Sequence, residues 1–279
     1  MIHRFSLAGP SERKLEKRGP DVTISRQDIA STKSNKVSMD QKSLVVVLPC
    51  YNEESRLPRQ ELLEWTRRRP DWLWLLVNDG SSDGTLGVLQ QLAEQASNLM
   101  VLDLPTNQGK AEAIRQGLLF APPCRWYSYL DADFAASPEE LERIFDGYAE
   151  SEYLFILGSR LKRLGGRIER TPLRHYLGRF AATCISLLLR LPTYDTQCGL
   201  KLIHSSLLEE LLGGPFLSRW LFDVELLARC RNHLGRKATL TRVLEEPLRA
   251  WEEKAGSKLR PRDFLHFPRD LWRLHRRYN

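Results

Sequence analysis

The sequence predicts an α/β domain with a mainly parallel central sheet flanked by helices. Three observations carry this expectation. "SLVVVLP", residues 43–49, is an unbroken β-branched run, the pattern of a strand covered on both faces. Strand-like and helix-like stretches then alternate up to about residue 158. Finally, polar segments rich in Gly, Asp and Ser fall where three of those strands end, the edge at which open α/β sheets bind ligands.

In chain order, residues 1–42 lack hydrophobic periodicity and are rich in Lys, Ser, Arg and Asp, and they read as a disordered polar tail. The folded domain is expected over 43–250. After the first strand come "LWLLVN" (73–78), "LMVLDL" (99–104), "WYSYL" (126–130) and "EYLFILG" (152–158) as strands. Helices are expected near 57–68, 84–96, 109–120 and 138–149, each a crossover between parallel strands. A basic loop, "SRLKRLGGRIERTP", leads into an amphipathic helix at about 172–191, with Arg174, Arg179 and Arg190 beside an apolar row. That row suits either a core face or a membrane-proximal one. A helix around "RWLFDVELLARCRN" and a strand-like "ATLTRVLEEPL" close the body. Residues 251–279 form a basic amphipathic segment in which Phe264, Phe267, Leu271 and Leu274 sit at near-helical spacing among arginines. It fits an interfacial membrane helix or one packed back on the domain.

Composition narrows the function classes. The net charge of +7 is concentrated at the ends, with nine Lys/Arg against five Asp/Glu in residues 1–42 and eight against four in 251–279. A nucleic-acid-binding domain carries its basic stripe on the folded body, so no nucleic-acid partner is expected; a membrane surface suits this distribution better. The five cysteines are scattered without a C-x-x-C pair, which argues against structural zinc and a disulfide framework. No apolar signal segment is visible, and no stretch approaches the roughly 20 apolar residues that cross a bilayer.

The chemistry gathers at strand ends. "DADF" places Asp131 and Asp133 one residue apart; they either form a solvated turn or converge on a cation, because adjacent carboxylates repel unless something positive joins them. "PCYNEE" and "NDGSSDGT" follow the first two strands. Asp79 can accept from a base or ribose, while Gly80, Ser82, Asp83 and Gly84 also have a turn-and-cap explanation. "NQGKAEAIRQG" opens a helix with Gly109 and Lys110, where backbone N–H groups and an ammonium suit a phosphate. It is not a P-loop, and no Gly-rich phosphate loop follows the first strand, which speaks against a nucleotidyltransferase.

"VVVLPCYNEE", "VNDGSSDGT", "NQGKAEAIR" and "YLDAD", in that order, resemble the inverting glycosyltransferases of the GT-A (nucleotide-diphospho-sugar transferase) fold, family 2 type. "GSR" (158–160), "DTQCGLKL" (195–202), "RWLFDVELL" (219–227) and "WEEKAGSKL" (251–259) resemble the dolichyl-phosphate β-glucosyltransferase branch, close to the polyprenyl-phosphate glycosyltransferases. The resemblance implies a metal-dependent hexosyltransferase that moves glucose from UDP-glucose to a polyprenyl or dolichyl phosphate. It implies Asp131 and Asp133 as holders of Mg²⁺ or Mn²⁺, and Pro49, Tyr51, Glu53, Asp79, Lys110, Asp131 and Ala132 around the nucleotide sugar. Acceptor contacts are expected among Arg160, Asp195, Gln197 and Lys201. A phosphate acceptor is already anionic, so pairing with a cation such as Arg160 should dominate, unless Arg160 is merely a structural ion pair. A hydroxyl acceptor would need a base, for which Asp223 is the candidate, with Asp195 behind it. Trp220 matches a family motif without an evident task. The implied location is cytoplasmic, peripheral on the cytoplasmic face of a membrane. The alternatives are the same fold with another nucleotide sugar and a soluble or glycan hydroxyl acceptor, or a non-catalytic nucleotide-sugar binder. Two departures stand out: a polar N-terminal tail where the eukaryotic enzymes carry a membrane anchor, and Asn78 in place of the common Asp.

Overall fold

Side chains alternate across a strand, so a strand apolar at every position must be covered twice. The computed structural model, which describes residues 42–168, 172–252, 254 and 261–279, shows this arrangement. In β1 (Leu44–Cys50), Val45 and Val47 enter one core, while Leu44, Val46 and Leu48 enter the other. In β2 (Trp72–Asp79), Leu73, Leu75 and Val77 join the first core, and Trp72, Trp74 and Leu76 the second.

The order continues from β1 through α1 (Arg59–Arg68), β2, α2 (Thr85–Gln95), β3 (Leu99–Leu104), α3 (Lys110–Phe120), β4 (Trp126–Leu130) and α4 (Pro138–Tyr148) to β5 (Phe155–Ser159). These elements reproduce the expected alternation. Then come β6 (Arg167–Ile168), α5 (Pro172–Leu189), β7 (Leu200–His204), α6 (Leu208–Leu212), α7 (Phe222–Leu234), α8 (Arg236–Arg242), β8 (Val243–Pro247), β9 (Ala250–Trp251) and α9 (Pro261–Tyr278). Seven strands form one sheet in the order β3-β2-β1-β4-β7-β5-β8. It is parallel except for β7, which runs antiparallel between β4 and β5. The short β6–β9 pair stands apart as a second sheet. Residues from α1, α2 and α4 pack in the second core, and residues from α3, α5, α6, α7 and α9 in the first.

The chain runs outward from β1 to β3 and then returns to place β4 on the other side of β1. Such a reversal of strand order is where open α/β sheets bind ligands, here beyond Cys50 and Leu130.

Two expectations need correction or completion. "ATLTR" is helical, not extended: Gly235 (φ 78°) stops α7, and its carbonyl accepts from Thr239 N and Oγ1 at 3.0 and 2.9 Å to start α8. The strand is confined to β8. Of the two readings of the C-terminal segment, packing is the one observed. Leu274 is fully buried, Phe267 and Leu271 pack on the first core, and the Tyr278 hydroxyl donates to Glu225 at 2.8 Å. Residues 1–41 of the polar tail expected over 1–42, and the side chains of Arg174 and Phe264, lie outside the described residues.

Candidate active site

The first two strand-end loops are stitched together. Asn52, held left-handed at φ 51°, donates its N–H to Ser81 Oγ at 3.0 Å and accepts from Ser82 N at 2.9 Å. Glu53 N donates to Thr85 Oγ1 at 2.8 Å, and the Glu54 carboxylate accepts from Gly84 N at 2.9 Å. Asp83 accepts from Thr85 N at 3.0 Å, which starts α2. The Glu53 carboxylate is nearly buried and takes a forked pair from Arg56, at 2.7 and 3.0 Å.

Asp79 organises the next loop. It is buried, and its carboxylate accepts from Gln108 N at 2.7 Å, Gly109 N at 2.8 Å and Asn107 Nδ2 at 3.0 Å. The turn before α3 is therefore shaped by Asp79. Gly80 is required for it: at φ +60° an added Cβ would lie 2.4 Å from Asn107 N. The departure at Asn78 also has a physical reason. Its cross-strand neighbour is Asp103, to which Asn78 Nδ2 donates at 2.7 Å; an aspartate there would set two carboxylates opposite each other.

The third loop presents the paired acids. Phe134 adopts φ 52° and donates its N–H to Asp131 O at 3.0 Å, a tight turn anchored by the Phe134 ring against Trp74. Ala132 is buried within that turn. Desolvation, and then the neighbouring Asp131, hold the Asp133 carboxyl above the usual carboxylate range. Lys110, the first residue of α3, forms an ion pair with Asp131 Oδ1. Desolvation works against the Lys110 charge, but Asp131, Asp223 and Asp133 outweigh it and hold the ammonium above the ordinary lysine value.

These residues fit a divalent cation. Asp131 Oδ1 is a buried oxygen that accepts no hydrogen bond and meets only the Lys110 ammonium among the described residues. No cluster of three or more His, Cys, Asp or Glu side chains suited to a metal occurs among the described residues. Two carboxylates would therefore hold such an ion, with phosphate oxygens and water completing its shell.

The expected acceptor residues divide into two groups. Arg160, just beyond β5, pairs with Asp195 through Nε at 2.7 Å and Nη2 at 2.8 Å, while its own N–H donates to the same carboxylate at 2.9 Å. Burial opposes the Arg160 charge, but Asp195 outweighs it and holds the guanidinium above the usual arginine range. The guanidinium lies 5.4 Å from the centre of the Trp251 ring. Gln197 Nε2 is buried without an acceptor among the described residues. A cavity of about 580 Å³ is lined by Asp133, Arg56, Arg167, Lys254 and the Trp251 that the Arg160 guanidinium faces.

Lys201 and Asp223 belong to the floor. Lys201 is fully buried, bonds Cys198 O and lies 3.2 Å from Asp223 Oδ1, so its side chain faces inward, away from an acceptor. Asp223, in the first turn of α7, is buried and also accepts from the Tyr129 hydroxyl. Burial, and then Asp223, push the Tyr129 phenol well above its usual value, which keeps it a donor. Trp220 packs on the first core and meets the Phe267 ring edge-on.

Arg219 and Tyr129 escaped the sequence reading. The Arg219 side chain passes over Gly109, within 3.4 Å of where a Cβ would sit. Its only sequence signal is its place beside Trp220. Tyr129 reads as ordinary strand filling until Asp223 is brought beneath it.

The Glycosyl transferase family 2 model matches residues 45–212. A dolichyl-phosphate beta-glucosyltransferase of Trichomonas vaginalis is 32% identical, over 82% of this chain and 71% of that one. Namesakes from Drosophila melanogaster and Homo sapiens are 31% and 30% identical, over 84% and 85% of this chain and 75% and 76% of theirs. Among solved structures, glucosyl-3-phosphoglycerate synthase from Mycobacterium tuberculosis in complex with UDP superposes with a TM-score of 0.61 at 17% identity, covering 85% of this chain and 81% of that one. The same enzyme with Mn²⁺, UDP-glucose and phosphoglyceric acid gives 0.57 at 17% identity, covering 85% and 80%.

Proposed function

The chain belongs to glycosyl transferase family 2, and from that membership we propose that it transfers glucose from UDP-glucose to a dolichyl or polyprenyl phosphate, inverting the configuration at C1. The observation that carries the choice of acceptor is the contrast between Arg160 and Asp223. The carboxylate best suited to be a base is sealed in the floor by Tyr129 and Lys201, whereas the Arg160 guanidinium, braced by Asp195, lies 5.4 Å from the ring centre of Trp251, a residue that lines the cavity. That arrangement suits an acceptor that arrives as an anion.

In this reading, the crevice between the loops after β1 and β2 takes the uridine, with Pro49 and Tyr51 as its wall and Asp79 shaping it from behind. Lys110 and the N–H groups at the start of α3 face the diphosphate, and Asp131 and Asp133 hold a divalent cation, Mg²⁺ or Mn²⁺, against it. When bound, that ion supplies charge stabilisation for the departing diphosphate. Arg160 orients the acceptor phosphate, and Gln197 offers its unpartnered N–H₂ to the sugar or phosphate. An acceptor oxygen forms the new bond to C1 as the C1–O bond to UDP breaks, and no proton need be removed. Transfer thus rests on alignment and charge.

A lipid acceptor calls for contact with a membrane surface. No described helix is long and apolar enough to cross a membrane. Phe180 and Leu187, seven residues apart on α5, are both largely exposed, and Leu164 is fully exposed in the basic loop with Lys162 and Arg163. This combination of apolar and cationic groups supports peripheral attachment to the cytoplasmic face.

The test is transfer from UDP-glucose, with Mn²⁺ or Mg²⁺, to dolichyl phosphate, dolichol or phosphoglyceric acid, with the product anomer read by NMR. A β-linked product on dolichyl phosphate alone is expected, and Asp131→Asn should abolish it while UDP still binds. Transfer to a hydroxyl acceptor but not to the lipid phosphate would overturn the reading. Absence of transfer from any nucleotide sugar would favour a non-catalytic binder.

A further inference from the structure

The antiparallel register of β4 and β7 pairs Leu130 with Leu200, so the next position sets Asp131 opposite Gly199. A Cβ added to Gly199 would lie 2.1 Å from Asp131 Oδ2, 2.4 Å from Cγ and 2.7 Å from Oδ1. Real Cβ atoms do not approach other atoms so closely. Gly199 has no positive φ, unlike Gly80, Gly109, Gly165 and Gly235, so its backbone would accept any residue. Space for one carboxylate is what requires glycine here. On the other side of that carboxylate stands Lys110.

We propose that Gly199 is a positioning residue: the bare backbone of β7's leading edge is the seat that sets where Asp131 points. The proposal rests on the reading of Asp131 as a cation holder. The clash falls on the end of a rotatable side chain, so an alanine at 199 would swing Asp131 off its seat and leave the strands paired. The expected consequence is a fold-neutral loss of cation binding.

The test compares Gly199→Ala, Asp131→Ala and the double variant in the full chain. Mn²⁺ binding in the presence of UDP is followed by calorimetry and by the paramagnetic resonance of unbound Mn²⁺. Gly199→Ala should weaken Mn²⁺ binding roughly 10- to 100-fold, the range seen when a group supporting a metal ligand is lost. Its melting temperature should stay near the parent's. In the Asp131→Ala background, where the clash no longer exists, Gly199→Ala should change neither binding nor melting. Unchanged Mn²⁺ affinity in Gly199→Ala, with a loss in Asp131→Ala, overturns the role of Gly199 alone. Unchanged affinity in Asp131→Ala overturns the cation reading and this proposal with it. If Gly199→Ala fails to fold, recovery of folded protein in the double variant supports the seat, and failure to recover refutes it.

Discussion

Replacing Lys201 with methionine gives the sharpest test of the site's floor. The ammonium is fully buried, 3.2 Å from an Asp223 oxygen whose side chain is 7% exposed. At an effective dielectric constant of about 20, that separation corresponds to an attraction of about 5 kcal/mol. Removing one partner of a buried pair typically costs about 3–5 kcal/mol, because the other charge is stranded. Methionine fills similar volume, so little cavity penalty is added. For a domain of this size, each kcal/mol lowers the melting temperature by roughly 2–4 °C, giving an expected drop of roughly 6–20 °C by calorimetry. The double variant Lys201→Met/Asp223→Asn should recover much of that loss, since the stranded charge is removed with its partner. A drop under about 3 °C, or a double variant no more stable than the single, would refute the argument. An intact melting temperature with a raised acceptor KM would return Lys201 to the acceptor site.

Three further outcomes are expected. Gly80→Ala should cost roughly 1–2 kcal/mol in left-handed strain alone, and the added Cβ meets backbone at Asn107; calorimetry with UDP should show weaker binding along with a lower melting temperature. Asp195→Asn removes the fork that aligns Arg160, so steady-state kinetics should show a raised acceptor KM with the UDP-glucose KM unchanged. Burial, and then the charge of Arg125, hold His204 below the ordinary 6.5, so the unfolded chain takes up the proton first. Stability is therefore intact above that value and declines as pH falls through it, and His204→Asn should flatten the melting temperature between about pH 7.5 and about pH 5.5.

The parts of the fold that read directly from sequence are those whose burial is local and uniform. Leu44–Leu48 reads as a doubly covered strand, and the polar segments after β1, β2 and β4 fall at one edge of the sheet because those strands run parallel. "ATLTR" was misleading because its threonines and leucine favour a strand by propensity, whereas the left-handed Gly235 and its accepting carbonyl start a helix. Lys201 reads as an acceptor contact from its motif alone, until β7 is set beside β4 with Asp223 beneath it. Nothing near Phe134 announces a positive φ; that turn is held by packing on Trp74, a contact between distant strands. Asp79 showed its chemistry but not its partners, which come from the loop after β3.

The insertion of β7 has a consequence for how the protein is made. Ser128 Oγ donates to Lys201 O at 2.7 Å across a separation of 73 residues. During synthesis, β1 to β4 can zip together as they leave the ribosome, yet the aspartates at their edge then lack the neighbouring strand and its glycine. Donor capture should therefore switch on late, after α7 has emerged, and nascent chains stalled before residue 200 should neither retain UDP nor resist protease around Asp131.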